Sequence, residues 1–550
     1  MKKRVITCLL ACCMICISAV SVTNPAYAAS SAGRYPAAYP AGGIAEIQEK
    51  YPPTRNQQSY GSCWAHAAAA CADFDMVKNH GHSTAFNVSE LQLAYFTYHT
   101  AQDRIGYLDG DQNQRAEEAK YHFLTMGGNA LYAMRTLAQW KGFTYERNIP
   151  YASAKEVISN GLDKANAQRN DAAKLKKGYI IDMENRPEDA KQAIMKYGAV
   201  IINYEYKKDH YNSDTNGYRN PYDNVTNHAN VIVGWDDHYP ADSFSDSATC
   251  DGAWLVRNSK TKKNTASNLG YFWMSYEDAS LAETAYVMDF MPATQYDHNY
   301  QHDGAVSVGA IKAASAANVF TARNLNSTAS ESLDAVMISF DGEEDVKYQI
   351  DIYTALTDSK DPESGYHHSY AVTKGTLRHA GIYTIPLKKK VYLSPGETFS
   401  IVVKSRNGRK MFDCEKSVNR TYEDGTGRFK GVAHADPGES FYKRKLTDKK
   451  WKDCGKDNLK KYGNMCIKAL TNDSGVEKYS ISYRLNGGSK NMNPTFYFST
   501  TKETLLQPPE RKGYRFLGWY TDRGFCDSIA TIQGALGRNL KLYAKWKKEK

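Results

Sequence analysis

Cys63 stands where a polar, glycine-containing loop, Arg55 to Gly61, turns into an alanine-rich run continuing to Val77. A cysteine that opens a helix meets unpaired backbone N–H groups and the positive end of the helix dipole, and both favour an anion. The thiolate is the nucleophilic form of cysteine, and such a position lowers the thiol pKa. Six residues upstream, Gln57 offers a side-chain amide that can donate to an oxyanion. The run after Cys63 is expected to be an amphipathic helix. A thiol nucleophile also needs a base to take its proton and a third group to orient that base.

Gln57 followed by Gly61-Ser62-Cys63-Trp64-Ala65 at a helix start resembles the active-site stretch of papain-like cysteine peptidases. The resemblance implies a histidine and then an asparagine further along. Asn227-His228-Ala229-Asn230 leads into Val231-Ile232-Val233-Gly234-Trp235, an apolar, β-branched run that reads as a buried strand. Trp254-Leu255-Val256-Arg257 reads as another strand, with Asn258 at its end. Both residues lie farther from Cys63 than the roughly 130–150 residues usual in the family. Polar insertions at 207–227 and 236–251 account for much of the difference.

What the resemblance implies is specific. Cys63 attacks a peptide carbonyl to form a thioester that water hydrolyses. His228 takes the thiol proton and later protonates the leaving amine, Asn258 holds the imidazole, and Gln57 with the Cys63 N–H forms the oxyanion hole. A rival base, His66, stands where the family usually has phenylalanine, and its ring is expected to point into the core. Gly127-Gly128, followed by Leu137, Trp140-Lys141-Gly142 and Pro150-Tyr151, resembles the segment where a substrate backbone pairs as an added strand; a plain turn is the alternative. Two departures stand out. Gln58 replaces a common glycine, and Lys260 stands where a tryptophan commonly shields the Asn–His hydrogen bond, which is expected to leave that bond wetter. Catalysis of this kind requires no cofactor and no metal.

The elements that must carry these residues give a multidomain α+β fold class. Residues 1–28 read as a signal peptide: Lys2-Lys3-Arg4, an apolar run from Val5 to about Val22, then Ala26-Tyr27-Ala28. A retained anchor and a lipoprotein signal at Cys12 are the alternatives. Residues 29–292 form the papain-like two-lobe peptidase domain, with no room for a folded inhibitory prodomain. In residues 293–473, short alternating runs such as 335–340, 348–353 and 399–403 read as an antiparallel β-sandwich. Placed after a papain-like domain, this segment resembles the lectin-like domain of clostridial cell-surface cysteine peptidases. Residues 474–550, with Gly518-Trp519-Tyr520 and Tyr543-Ala544-Lys545-Trp546, resemble one Listeria–Bacteroides (internalin B-type) repeat, a small β-grasp-like module whose aromatics are chiefly core.

Seven cysteines remain beyond the signal, an odd number that points to one free thiol, Cys63. The charge of +10 is well mixed, which suits solubility and argues against a nucleic-acid partner. No run after the signal is long and apolar enough to span a bilayer. Asp341-Gly342-Glu343-Glu344-Asp345 reads as a Ca²⁺ turn or a solvated loop. The run 443–461 holds nine basic residues against three acidic ones and reads as a contact for anionic cell-wall polymer or a solvated face. The function expected is that of a secreted cysteine endopeptidase of a Gram-positive bacterium. It would act on protein or peptide substrates outside the cell or at its surface, held there non-covalently by accessory domains that meet cell-wall polymer or carbohydrate. The alternatives are a catalytically idle surface-binding protein on a peptidase scaffold and a Cys–His peptidoglycan amidohydrolase.

Overall fold

The structure is a computed structural model that describes residues 34–101, 111–116, 122–223, 225–260, 270–323, 330–340, 342–421, 428–456 and 462–549. The expected signal peptide and Cys12 lie outside the described residues.

Helix α1, Cys63–His80, is the axis of the first lobe. It is not amphipathic: every residue from Trp64 to Met76 is buried. Its alanines let neighbours approach from all sides, so the helix runs through the core rather than along its surface. Two acidic residues go inside with it, and both are engaged. Asp73 pairs with Arg55, and Asp75 accepts from the Phe290 N–H at 2.6 Å. Helix α2, Glu90–Tyr98, starts at a Ser89 cap whose hydroxyl accepts from the Gln92 N–H, and α3, Ala130–Ala138, starts at Asn129 in the same way. Together with α1 they pack one apolar core.

The second lobe is a sheet. Its strands are β1 (Ala173–Asp182), β2 (Val200–Tyr204), β3 (His228–Asp236), β4 (Ala253–Arg257), β5 (Tyr271–Ser275) and β6 (Thr284–Pro292). Their order across the sheet is β1-β6-β2-β3-β4-β5. β3 is central, so eight of its nine residues are buried. Val231 and Val233 face the helical core, while Ile232 and Trp235 join a second core with Tyr204, Trp254 and Phe272. The insertion before His228 supplies a small hairpin whose strand Gly217–Tyr218 runs parallel to β5 and extends the sheet.

The sheet does not end at the domain boundary. The second domain contributes β7 (Glu331–Phe340), β8 (Val346–Thr354), β9 (Gly381–Leu393), β10 (Thr398–Ser405) and β11 (Ile467–Asp473). β9 pairs with β1, Gly381 opposite Tyr179 and Ile382 opposite Gly178, so β7, β9 and β11 lie in the same thirteen-stranded sheet as the peptidase strands. A second sheet, containing β8 and β10, packs over a separate core to complete a β-sandwich. A second tie joins the domains: Gln112–Ala116 pairs antiparallel with Arg428–Val432, and Phe429 is buried against Tyr98. The last domain is a five-stranded sheet in which Lys478–Arg484 and Leu540–Lys548 run parallel, with Trp519, Leu542 and Ile481 in its core.

Only glycine fits where β9 meets β1. A Cβ at Gly381 would lie 2.2 Å from the Gly178 carbonyl oxygen, with φ at +155°. Gly381→Ala is expected to lower stability by about 1–3 kcal/mol. It should also expose the junction between the domains to limited proteolysis before either core melts.

Candidate active site

Cys63 is the first residue of α1 and is half-buried. The Ala229 backbone N–H lies near enough to pull the thiol pKa down, so the thiol sits beside the first residues of β3, one residue from His228. Burial pushes the Cys63 thiol up, opposed by the Ala229 and Trp64 N–H groups and by the positive charge of Lys260. Burial likewise pushes the His228 imidazole down to about 4, against the pull of its bond to Asn258. Neither group ionises alone in this cleft. A proton passing from thiol to imidazole leaves two opposite charges side by side, and their attraction replaces the hydration that each has lost.

His228 Nε2 donates to Asn258 Oδ1 at 3.0 Å, which leaves Nδ1 as the nitrogen for the thiol. Asn258 is fixed in turn, because its backbone N–H donates to the Gly270 carbonyl at 2.7 Å and Oδ1 also receives the Lys260 N–H at 3.1 Å. The bond to Asn258 is part-buried, while the ring itself is covered. His228 is 6% exposed, and Tyr204 and Tyr206 pack against it at 5.7 and 6.0 Å. These tyrosines, on β2 and just after it, cover the imidazole where the family's tryptophan is missing.

Gln57 is held at every polar atom. Its N–H donates to the Ser259 carbonyl, its Oε1 receives the Ser259 hydroxyl at 2.6 Å, and its Nε2 donates one hydrogen to the Tyr60 carbonyl at 2.6 Å. An amide nitrogen carries two hydrogens. Tyr151 adds a further brace, its hydroxyl lying 2.6 Å from Ser62 Oγ and donating to the Gln57 carbonyl at 3.1 Å. Sequence reasoning did not assign Ser259, Tyr151, Tyr204 or Tyr206. The adjacency of Ser259 to Asn258 was a usable signal; the tyrosine contacts arise from chain segments far apart in sequence.

His66 faces away from this chemistry. Its Nδ1–H donates to the Ser62 carbonyl at 3.1 Å, its Nε2 lies 3.7 Å from Glu90, and its ring meets Tyr151 edge-on at 4.7 Å. The ring is a core group, as its place on the helix implies. Gly127 and Gly128 pack beside the start of α1, against Gly61 and Trp64. Gly127 has φ +66° and accepts from the Tyr98 hydroxyl, and a Cβ at Gly128 would strike the Trp64 indole at 2.3 Å. Gly128 therefore packs on the residue that follows Cys63.

Elsewhere, Glu343 pairs with Lys410 and Glu344 with Arg186 of the peptidase domain, so two carboxylates of the acidic turn already have cationic partners; Asp341 lies outside the described residues. His298, Glu331 and Asp473 bring ligand atoms within 4.8 Å of one another. Both Glu331 oxygens already accept, from Tyr300 and Thr471, and His298 is bonded to Asp473. All seven described cysteines are unbridged. If the second Gln57 amide hydrogen meets an oxyanion, Gln57→Ala should lower kcat for a peptide substrate about 100-fold with little change in KM. Alkylation of Cys63 by iodoacetamide, which develops no oxyanion, should stay near the wild-type rate.

Comparison with known proteins bears on this geometry. Residues 45–289 match the family model of papain family cysteine proteases, residues 299–471 that of the lectin-like domain, and residues 479–545 that of the Listeria–Bacteroides repeat domain. Among solved structures, the chain is similar to the clostridial cysteine protease Cwp84 after propeptide cleavage, at 25% identity and a TM-score of 0.59 over 77% of this chain and 97% of that one. The cysteine protease and lectin-like domains of Cwp84, a surface layer associated protein of Clostridium difficile, align over 80% of this chain and 90% of that one, with 24% identity and a TM-score of 0.58. Of the curated proteins, a putative membrane protein of Evansella cellulosilytica is 36% identical over 71 residues, 13% of this chain. The chain spans about a tenth of the length of the curated relatives it matches. No described helix is long and apolar enough to cross a membrane. A cysteine at a helix start, a histidine–asparagine pair on neighbouring strands and the matching family model together mark residues 45–289 as a papain-like cysteine peptidase domain, joined to a lectin-like domain and a Listeria–Bacteroides repeat.

Proposed function

We propose that the protein is a secreted endopeptidase of a Gram-positive bacterium that cleaves extracellular or cell-surface proteins through Cys63. In this reading residues 1–28 are the signal peptide, 29–292 the catalytic domain, 293–473 a lectin-like sandwich and 474–550 the repeat. The two accessory domains keep the enzyme at the surface non-covalently by contact with cell-wall polymer or carbohydrate. The observation that carries the catalytic part is the His228–Asn258 hydrogen bond, with Cys63 opening the helix beside the start of the same strand.

The geometry supports the following roles. Cys63 passes its proton to His228 Nδ1, and the thiolate adds to the scissile carbonyl. The carbonyl oxygen, now an oxyanion, takes the second Gln57 amide hydrogen and the Cys63 backbone N–H, which has no partner within the helix. The tetrahedral carbon then expels the amine as His228 protonates it, leaving a thioester. His228 next takes a proton from water, whose hydroxide attacks the thioester and releases the acid with the thiol restored. Gly127 and Gly128 present backbone to the substrate chain on the acyl side. No cofactor enters any step.

A casein digest followed by mass spectrometry tests the reading: internal cuts with the wild type and none with Cys63→Ala are expected, whereas cuts that persist in the variant would remove Cys63 from the mechanism. The pH profile gives a second check. His228 must be free to accept a proton, so kcat/KM should fall as pH drops through about 4. Lys260 pushes His228 down, so removing its charge lets the imidazolium persist to higher pH. Lys260→Ala should therefore move the acid limb upward, and an unmoved limb would mean that Lys260 does not act on the imidazole.

A further inference from the structure

The alternation of β8 places Tyr348, Ile350 and Ile352 in the sandwich core and turns Gln349 and Asp351 to the opposite face of the sheet. On that face lies an open groove of about 600 Å³, bounded by Gln349, Asp351, His367, Ser369, Lys374 and Lys388. Its floor is unusual for an outer sheet face, because Asp351 has a side chain only 2% exposed. A carboxylate is hidden there only when its partners hold it. His367 Nε2 donates to one oxygen at 3.0 Å, and Gln349 Nε2 to the other at 2.8 Å, where Lys404 also lies at 3.3 Å. Register fixes these neighbours: Gln349 stands between Lys374 on one strand and Lys404 on the other, and Tyr353, stacked on His367, stands opposite it.

The consequence is a groove with its negative charge used up at the floor and its positive charge left at the rim. Lys374 and Lys388 are exposed and form no ion pair with any described residue. His367 is more than one-third exposed and presents its other ring nitrogen. Gln349 and Ser369 add neutral hydrogen-bonding groups of the kind that hydroxyls accept and donate to. Within the basic run that the sequence offered for anion contact, Lys443 pairs with Glu363 at 2.8 Å and Lys456 with Asp453.

We propose that this groove binds an anionic glycopolymer, a chain of hydroxylated units bearing phosphate or carboxylate groups, and that it is the surface-attachment site of the lectin-like domain. The volume suits a few sugar-sized units rather than a single small anion. The proposal rests on the reading of that domain as an attachment module, and is independent of the peptidase chemistry. Titrating the full chain with poly(glycerol phosphate), polygalacturonate and neutral dextran tests it by calorimetry. Binding is expected to at least one polyanion and not to dextran, weakening as salt is raised; which polyanion binds tells phosphate from carboxylate. The Lys374→Glu, Lys388→Glu double variant should bind at least tenfold more weakly, with hydrolysis of a short soluble peptide unchanged. That unchanged hydrolysis separates failure here from failure of the peptidase reading. The proposal is overturned if none of the polymers binds, if dextran binds as tightly as the polyanions, or if the double variant binds like the wild type.

Discussion

The hydrogen bond from His228 to Asn258 is the constraint on which the catalytic arrangement depends. It can form only because β3 and β4 are paired in a register that sets Val231 opposite Arg257. His228 then stands at the start of one strand and Asn258 just past the end of the next. A shift of one residue would turn every side chain of β3 to the other face. The register is secured on both sides, by β2 and by β4, and by two cores that take alternate residues of β3. The apolar burial that stabilises the second lobe therefore also fixes the catalytic imidazole.

Across the cleft, the thiol depends on a helix that has given up its solvent face. Burying α1 on all sides brings Asp73, Asp75 and His66 inside, and each had to find a partner. Arg55 answers Asp73 and Glu90 together from the loop that also carries Gln57. A buried ion pair of this kind contributes little net stability, but removing one member costs about 3–5 kcal/mol. Its value is positional: it ties the loop that carries Gln57 to the first two helices. The accessory domain is tied equally firmly. A sheet that continues from β1 into β9, and a strand of the first domain paired with Arg428–Val432 of the second, make the lectin-like sandwich part of the body that holds the cleft. The lectin-like domain and the cleft are thus joined through continuous backbone hydrogen bonding.

Much of this was legible in local sequence, and the reason is the same in each case. Cys63 opens a helix, His228 opens an apolar β-branched strand and Asn258 ends one, so each announces itself within a few residues. The sandwich and the repeat were legible through strand alternation and turn residues. What stayed hidden was set by partners distant in the chain. Alanine spacing suggested a one-sided helix, but what decides burial is the second lobe and the strand-paired domain behind it. Lys260 suggested a wetter bond to Asn258, but nothing local signalled that Tyr204 and Tyr206, more than twenty residues before His228, cover its ring. The continuity of one sheet through two domains has no local signature at all, beyond a glycine at 178 and another at 381.

The central claim is that Cys63 is a positioned, reactive thiol among seven unbridged cysteines. Intact-mass measurement after exposure to an epoxysuccinyl thiol-protease probe tests it most directly, because the probe needs the assembled cleft and not merely an accessible thiol. A single adduct on the wild type, absent from a folded Cys63→Ala variant, is the predicted result. An unmodified wild type, or an adduct that survives in the variant, would contradict it.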